Sequence, residues 1–558
     1  MKKIIGCFLV ILLSYFAIRP LLSTGYFPMH DDTQVARVVV MEKALKQGQF
    51  PVRWVSDLGY GYGYPLFNFY GPLPYYVGGG LAALGVDPVV ATKIMFAIGL
   101  VVAPISLFIL VESIFGFSAA MVASMLFLYA PYHAVEAYIR GSVGEYWAIA
   151  FVPLLLYGLK LSLEKKYVTK GMIIGGLSLA AVIVSHTILG FVTCVLLGIG
   201  LIAYWLIAFL KKKLILSSMI RPTILILLGL GISAFFWLPA IVELPATSVT
   251  SMIEGANTNF FDHFVCVGQL WNSPWGYGGS APGCVDGMSF KLGKWQIVIG
   301  AISFGIWFFL KKKSFLKEKN RMMQISAVVL GICILLMLQI SSPLWKMFPL
   351  TSFIQYPWRL LAFCMLFLAI CGAYMVSVAR MPIIRISLMV AIIMVTILVN
   401  AKIFTPQYIY SRDSAAFETL EELRFTKSKL SDEYLPPGIV KPQIALNAVK
   451  TTLEGNATFF VRAMSETDTS LYAQIDSTAA QIVTLKKAWF PGWKIMVNKK
   501  LLVPVIKQGM PTVNIPVGMS IIQMRFTDTP IRIIGNILSI CTGIVVSLLF
   551  IYGKKTNA

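Results

Sequence analysis

The stretch PLPYYVGGGLAALGV, residues 72–86, decides how the chain is threaded. It is apolar, but it is short and carries two prolines and three consecutive glycines. A helix that crosses a bilayer core needs about 20 mostly apolar residues. Counted as a crossing, this stretch would reverse the side of every later loop. The lysine clusters downstream would then fall outside the cell, against the rule that cytoplasmic loops carry the basic residues. The stretch is therefore read as an interfacial or re-entrant segment under the first exterior loop.

With that segment removed, twelve spans remain, at about 4–22, 90–112, 118–132, 146–162, 170–186, 189–210, 219–238, 294–310, 322–341, 358–378, 383–401 and 533–552. If the N-terminus starts inside, every basic cluster falls in the cytoplasm: Lys2-Lys3, Lys165-Lys166, Lys211 to Lys213, Lys311 to Lys313, Arg380 with Arg385, and Lys554-Lys555. Both termini are then cytoplasmic in a multi-pass membrane protein. The N-terminal MKKIIGCFLVILLSYFAIRPLLS reads as a retained signal anchor, since no A-x-A cleavage site follows its long apolar run.

Composition agrees. The 558 residues are 57% hydrophobic and 13% charged, with a mean hydropathy of +0.77. A soluble chain of this length needs far more polar surface. The net charge is +22, and the short basic clusters fall at helix ends, which argues for membrane lipids as partners and against nucleic acid. Six of the eight cysteines lie in expected spans. Cys266 and Cys284 share one exterior loop, where a disulfide and two free thiols are both open readings.

Three domains follow: a transmembrane domain over 1–401, with exterior loops 23–89, 133–145, 239–293 and 342–357; an extracytoplasmic domain over 402–531; and a last helix with a cytoplasmic tail over 532–558. The alternating stretches ATFFVRAM, AQIVTLKKAWF and IIQMRF, with turn signals at Pro491-Gly492 and Asn498, make 402–531 a β-rich domain, expected as a sandwich.

The chemistry gathers at the exterior ends of the spans. His30-Asp31-Asp32-Thr33 sets two adjacent acids just past the first span. Acids in that position suit a general base or a divalent metal site. The plain alternative is a solvated loop in which Asp32 caps the helix of TQVARVVVMEKAL. The stretch GYGYGYPLFNFYGPLPYY, residues 59–76, holds six tyrosines, Tyr64 and Tyr70 among them. It suits packing against headgroups or an isoprenoid, although Tyr also populates ordinary interfacial belts. Arg140 and Glu145 read either as a structural ion pair or as a phosphate ligand with a second acid. His186 and Arg359 open onto the same face, and packing and snorkelling are their plain readings. There is no Walker A loop, HExxH, CxxC or GxSxG, which removes support from several pump and hydrolase classes.

The residues also carry a resemblance. HDD, then QGQFPVRWVSDLGYGYGYPLFNFYGPLPYY, YIRGSVGE, SHT and FIQYPWR occur in an order similar to the membrane family labelled 6-pyruvoyl-tetrahydropterin-synthase-related. DEYLP (432–436) and AWFPGWKIMVNKK (488–500) resemble the YfhO-like membrane proteins. Nothing in the chain looks like a soluble pterin synthase. The resemblance implies instead a polytopic α-helical GT-C architecture with a C-terminal β-rich domain. It implies an inverting glycosyltransferase that moves a hexosyl or pentosyl unit from a polyprenyl-phosphate donor to an extracytoplasmic glycan, lipid or protein acceptor.

In that reading either Asp31 or Asp32 is the catalytic acid of the first loop, with Glu145 as a second, and His30, Arg140, His186, Arg359, Tyr64 and Tyr70 bind substrate. A divalent metal, magnesium or manganese, would sit on Asp31 and Asp32 if one is used, although the D-x-D pattern frequent in such enzymes is replaced here by Asp31-Asp32-Thr33. A flippase of lipid-linked glycans and a non-enzymatic envelope-assembly protein are the competing readings. The flippase reading is disfavoured by spans that are apolar throughout.

Overall fold

The computed structural model describes residues 1–249, 260–448 and 452–555. Parts of three expected regions lie outside the described residues: 250–259 of the loop 239–293, 449–451 of the domain 402–531, and 556–558 of the tail.

Nine helices among the described residues are long and apolar enough to cross a membrane: Lys2–Leu22, Pro88–Phe115, Val143–Leu163, Lys165–Ser185, Thr187–Leu210, Ser314–Met337, Pro357–Val378, Pro382–Ile403 and Pro530–Gly553. Two more stretches are helix pairs, Phe117–Leu128 with Pro131–Arg140 and Ser217–Ile232 with Ala234–Val242, bent by 43° and 72°. The first bend has a local cause. Pro131 forces the preceding Ala130 out of the helical region, to φ −64° and ψ 137°. With the 17-residue apolar helix Lys294–Leu310, these elements occupy the twelve stretches read from sequence.

The deciding segment folds as Leu73–Ala83, a helix of 11 residues. At 1.5 Å per residue it is about 16 Å long, roughly half of a bilayer core. It packs on the helix Gln34–Lys46. A Cβ at Gly79 would lie 2.5 Å from Met41 Cγ, so the glycine permits that close approach.

The strands are confined to residues 453–526, and the segment 404–448 consists of short helical turns and loops. Two antiparallel sheets form. One orders Leu453–Gly455 (β1), Gln481–Leu485 (β4), Met510–Ile515 (β8) and Val505–Lys507 (β7). The other orders Phe459–Glu466 (β2), Ser470–Ser477 (β3), Gly518–Phe526 (β9), Trp493–Val497 (β5) and Lys500–Leu502 (β6). Alternate residues of β3 and β9, among them Leu471, Ala473, Ile475, Ile522 and Met524, are buried against Val483, Leu485, Val513 and Ile515 of the other sheet. Period-two burial of this kind makes a sandwich.

The Tyr-rich loop corrects an expectation. Of residues 59–76 most are buried in protein, and only Tyr62, Tyr70, Leu73 and Tyr76 are half-buried, so little of it is left as an aromatic surface for an isoprenoid. Trp54 is fully buried, with its ring 5.3 Å from Trp493 and 5.4 Å from Phe526. Phe69 stacks on Tyr434 at 5.1 Å. The loop is thus the socket that receives the sandwich and the segment before it, since burying large aromatics against one another outweighs leaving them at an interface. A second tie is the fully buried Arg532 of the last helix. It donates to Glu243 Oε2 at 2.8 and 3.0 Å and to the carbonyl of Pro491 at 2.9 Å.

Candidate functional site

The first loop is held by backbone bonds to the turn that follows Pro131–Arg140. The His30 N–H donates to the Ile139 carbonyl and the Asp31 N–H to the Arg140 carbonyl, both at 2.9 Å. The chain reverses at Gly141, where φ is +67° and a Cβ would meet Met29 Sδ at 2.2 Å. Only glycine fits a left-handed turn with that neighbour. Residues 136–140 form a π-helical turn.

Four of the residues read from sequence meet here. Arg140 grips Glu145 with both arms, Nη2 to Oε1 at 2.6 Å and Nη1 to Oε2 at 2.8 Å. Arg359 Nε donates to the same Oε1 at 3.0 Å. The His186 Nε2 lies 4.0 Å from it, while His186 Nδ1 accepts the Leu189 N–H and so caps the helix Thr187–Leu210. Arg359 is fixed further by its Nη1, which donates to the Ile354 carbonyl at 2.8 Å and to Gln355 Oε1 at 2.9 Å. The Trp358 ring lies under the Arg140 guanidinium at 4.6 Å. The three charged side chains leave one positive charge in excess.

This geometry corrects the reading of Glu145 as a second catalytic acid. Its side chain is fully buried and both oxygens are taken by guanidinium groups. A carboxylate in that position orients arginines and has no lone pair turned to a substrate.

Asp31 and Asp32 separate. The Asp31 carboxylate, partly exposed, has no hydrogen bond or ion pair among the described residues, and it lies within electrostatic range of Arg140 and Tyr70. Asp32 Oδ2 accepts from Lys427 Nζ at 2.8 Å, and Lys427 also pairs with Glu422 at 3.2 Å. Burial pushes the Asp32 carboxyl up, and the Lys427 charge only partly opposes it. Asp32 does not cap the following helix either, because Thr33 occupies the cap position and makes no side-chain cap bond. The two acids therefore differ in their partners, Asp32 being held by a lysine, and no group of three His, Cys, Asp or Glu suited to a metal occurs among the described residues. The donor set does not fit a magnesium or manganese ion held between them.

The other expected residues fall around this centre. Tyr70 lies under the Arg37 guanidinium at 3.9 Å. Tyr64 is fully buried, and its hydroxyl accepts the Tyr434 N–H at 3.2 Å, so it supports a neighbouring segment and offers no substrate surface. The exposed His30 ring contacts the Tyr277 carbonyl at 3.0 Å. Cys266 and Cys284 are disulfide-bonded.

Three residues at the centre were missed. Buried Arg37 donates to Tyr75 at 3.3 Å and to Ser431 at 3.1 Å. Glu433, within electrostatic range of Arg37, accepts from the Ser431 hydroxyl at 3.1 and 3.2 Å. Burial raises its carboxyl and the Arg37 charge opposes the rise. Tyr434 lies within range of both Arg37 and Arg359. The available signal was DEYLP itself, two acids set against an apolar, proline-ended run.

Apolar helices gathered around charges that collect at one end define a polytopic membrane protein with a single-ended polar site. The chain belongs to the family described as 6-pyruvoyl-tetrahydropterin synthase related domain, membrane protein, whose family model matches residues 67–408. No curated protein matches the chain. Among solved structures it is similar to the arabinofuranosyltransferase AftD from Mycobacteria, at 15% identity and a TM-score of 0.47, over 73% of this chain and 27% of that one. It is similar to the oligosaccharyltransferase AglB from Archaeoglobus fulgidus in complex with an inhibitory peptide and a dolichol-phosphate, at 14% identity and a TM-score of 0.48, over 80% of this chain and 61% of that one. It is also similar to ArnT from Cupriavidus metallidurans bound to undecaprenyl phosphate, at 11% identity and a TM-score of 0.30, over 67% of this chain and 78% of that one. The chain thus spans less than two thirds of AftD and of AglB.

Proposed function

We propose that the chain is a GT-C-type membrane glycosyltransferase that moves a sugar from a polyprenyl-phosphate donor to an acceptor hydroxyl on the extracytoplasmic face. One observation carries the reading: an Asp31 carboxylate with no hydrogen bond or ion pair among the described residues lies within electrostatic range of Arg140, which shares Glu145 with Arg359. Asp31 takes the proton of the acceptor hydroxyl as that oxygen attacks the anomeric carbon. The bond from that carbon to the phosphate oxygen breaks, and the phosphate leaves on its lipid. Arg140 and Arg359 offset the charge that grows on it.

Glu145 positions both guanidinium groups, and Tyr70 with Arg37 borders the acceptor side. The sandwich and all loops of the site face outward, with both termini cytoplasmic, as the basic clusters between spans favour. The sugar would be hexosyl or pentosyl, and attack from the face opposite the phosphate would invert it.

The test is transfer from a panel of radiolabelled polyprenyl-phosphate sugars in proteoliposomes. Transfer by the wild type and its loss in Asp31→Asn is the expected result. Full transfer by Asp31→Asn would remove the assignment.

A further inference from the structure

A second group of charges lies outside the site. Lys294 opens the helix Lys294–Leu310, Lys402 follows Pro382–Asn400, and Lys291 sits just before the first of these. All three lie at the end of Lys294–Leu310 opposite the Lys311 to Lys313 cluster. Basic residues are thus present at both ends of this helix, although a one-sided bias is what topology alone requires.

Lys294 and Lys402 both lie within electrostatic range of Lys291. Burial lowers the Lys291 pKa, and the charges of Lys294 and Lys402 lower it further. None of the three makes an ion pair or a hydrogen bond among the described residues. Lys294 also stands at a helix N-terminus, where the backbone dipole disfavours a cation. Two tryptophans border the group, Trp275 at 5.5 Å from the Lys291 ammonium and Trp271 at 5.8 Å from that of Lys294. The Trp275 indole N–H is buried and has no acceptor. The acid of the same loop, Asp286, accepts from Gln269 at 2.9 Å and Ser273 at 2.5 Å and forms no ion pair with any of the three lysines, so the cluster keeps its positive charge and what it lacks is an anion. The position at the ends of two apolar helices, between indoles, is the headgroup level of a bilayer.

We infer that Lys291, Lys294 and Lys402, with Trp271 and Trp275, form a binding site for the phosphate headgroup of an anionic phospholipid. The lipid supplies the counter-charge that these lysines lack, its phosphate oxygens accept from the ammonium groups, and its acyl chains run down the apolar flank of Lys294–Leu310. The site is separate from the Arg140–Glu145–Arg359 centre, so it stands whether or not sugar transfer is the activity.

The test is native mass spectrometry of the full-length protein in mild detergent, titrated with phosphatidylglycerol or with phosphatidylcholine of the same acyl chains. The wild type is expected to retain one more phosphatidylglycerol than the Lys291→Gln/Lys294→Gln/Lys402→Gln variant. Its apparent affinity is expected to fall about fivefold for each lysine neutralised. The corresponding triple Lys→Arg variant should keep the lipid, and Lys402→Gln alone tests an exposed position that leaves the fold intact. Equal retention by wild type and Gln variants overturns the site. Displacement of the lipid by millimolar inorganic phosphate would identify a free-anion site and overturn the lipid assignment.

Discussion

Arg140 and Glu145, five residues apart, form a bidentate ion pair at 2.6 and 2.8 Å across the turn at Gly141. Arg359, 214 residues from Glu145, closes on the same oxygen at 3.0 Å. One buried acid thus sets the spacing of two cations drawn from different spans. Removing one partner of a buried pair strands the others, at a cost of about 3–5 kcal/mol. Glu145→Gln is therefore expected to lower the melting temperature in detergent by several degrees and to weaken binding of undecaprenyl phosphate used as a probe. Arg140→Lys should fail to restore that binding, because an ammonium cannot form the two-armed contact. An unchanged probe affinity in Glu145→Gln would show that the arginines do not hold lipid phosphate.

The adjacent acids should behave oppositely. Asp31 has no partner among the described residues, whereas Asp32 is tied to Lys427 at 2.8 Å. Asp31→Asn is expected to leave the melting temperature unchanged and to cut turnover about 10²–10⁴-fold, the usual contribution of a general base. Asp32→Asn should lower the melting temperature and keep most of the turnover. The comparison needs both readouts on the same preparation, since reversed outcomes would transfer the base to Asp32.

Most of the helical layout was legible because apolar length and basic flanks act locally. Residues 72–86 show this: two prolines and three consecutive glycines in a short run limit the helix, and the structure gives it only 11 residues. The order of motifs brought Arg140, Glu145, His186 and Arg359 into one list, and they meet. What was not legible depends on long-range packing. The burial of Tyr64 follows from Tyr434, 370 residues away, and the separation of Asp31 from Asp32 follows from Lys427. Glu433 was overlooked for the same reason, since nothing near it in sequence reveals that Arg37 lies across from it.

The loop and the segment 412–434 are joined by a further acid, and this one gives a pH signature. Burial alone would raise the Asp57 carboxyl, but hydrogen bonds and charge from Lys43 and Arg424 hold it below the ordinary range. A depressed acid contributes stability that is present above its unfolded value of about 3.9 and is lost as pH falls through the folded value. The melting-temperature gap between wild type and Asp57→Asn should therefore be constant from neutral pH down to about pH 5 and close below about pH 4. Thermal melts in detergent from pH 3 to 7 would read this directly. A gap that widens on acidification would mean that Asp57 is not paired in solution.

The position of the sandwich rests on one buried acid as well. Glu243 Oε1 accepts from Thr529 at 2.6 Å, and its Oε2 accepts from Asn68 at 2.9 Å and from Arg532 at 2.8 Å. It thereby joins a helix end, the aromatic loop and the base of the last helix. Glu243→Ala leaves Arg532 buried, with the carbonyls of Pro491 and Thr527 as its remaining hydrogen-bond partners among the described residues. An uncompensated buried guanidinium is expected to cost about 3–5 kcal/mol. The loss should fall at the junction, since the side chains bonded to Glu243, those of Asn68, Thr529 and Arg532, all lie outside the strands. Limited proteolysis is expected to release a fragment covering the sandwich from Glu243→Ala under conditions that leave the wild type whole. Trp54→Ala, which empties the aromatic socket against Trp493 and Phe526, should release the same fragment, since removing a fully buried Trp costs a similar amount. If both variants resist cleavage while melting lower, the weakness lies within the helices and the socket does not hold the domain.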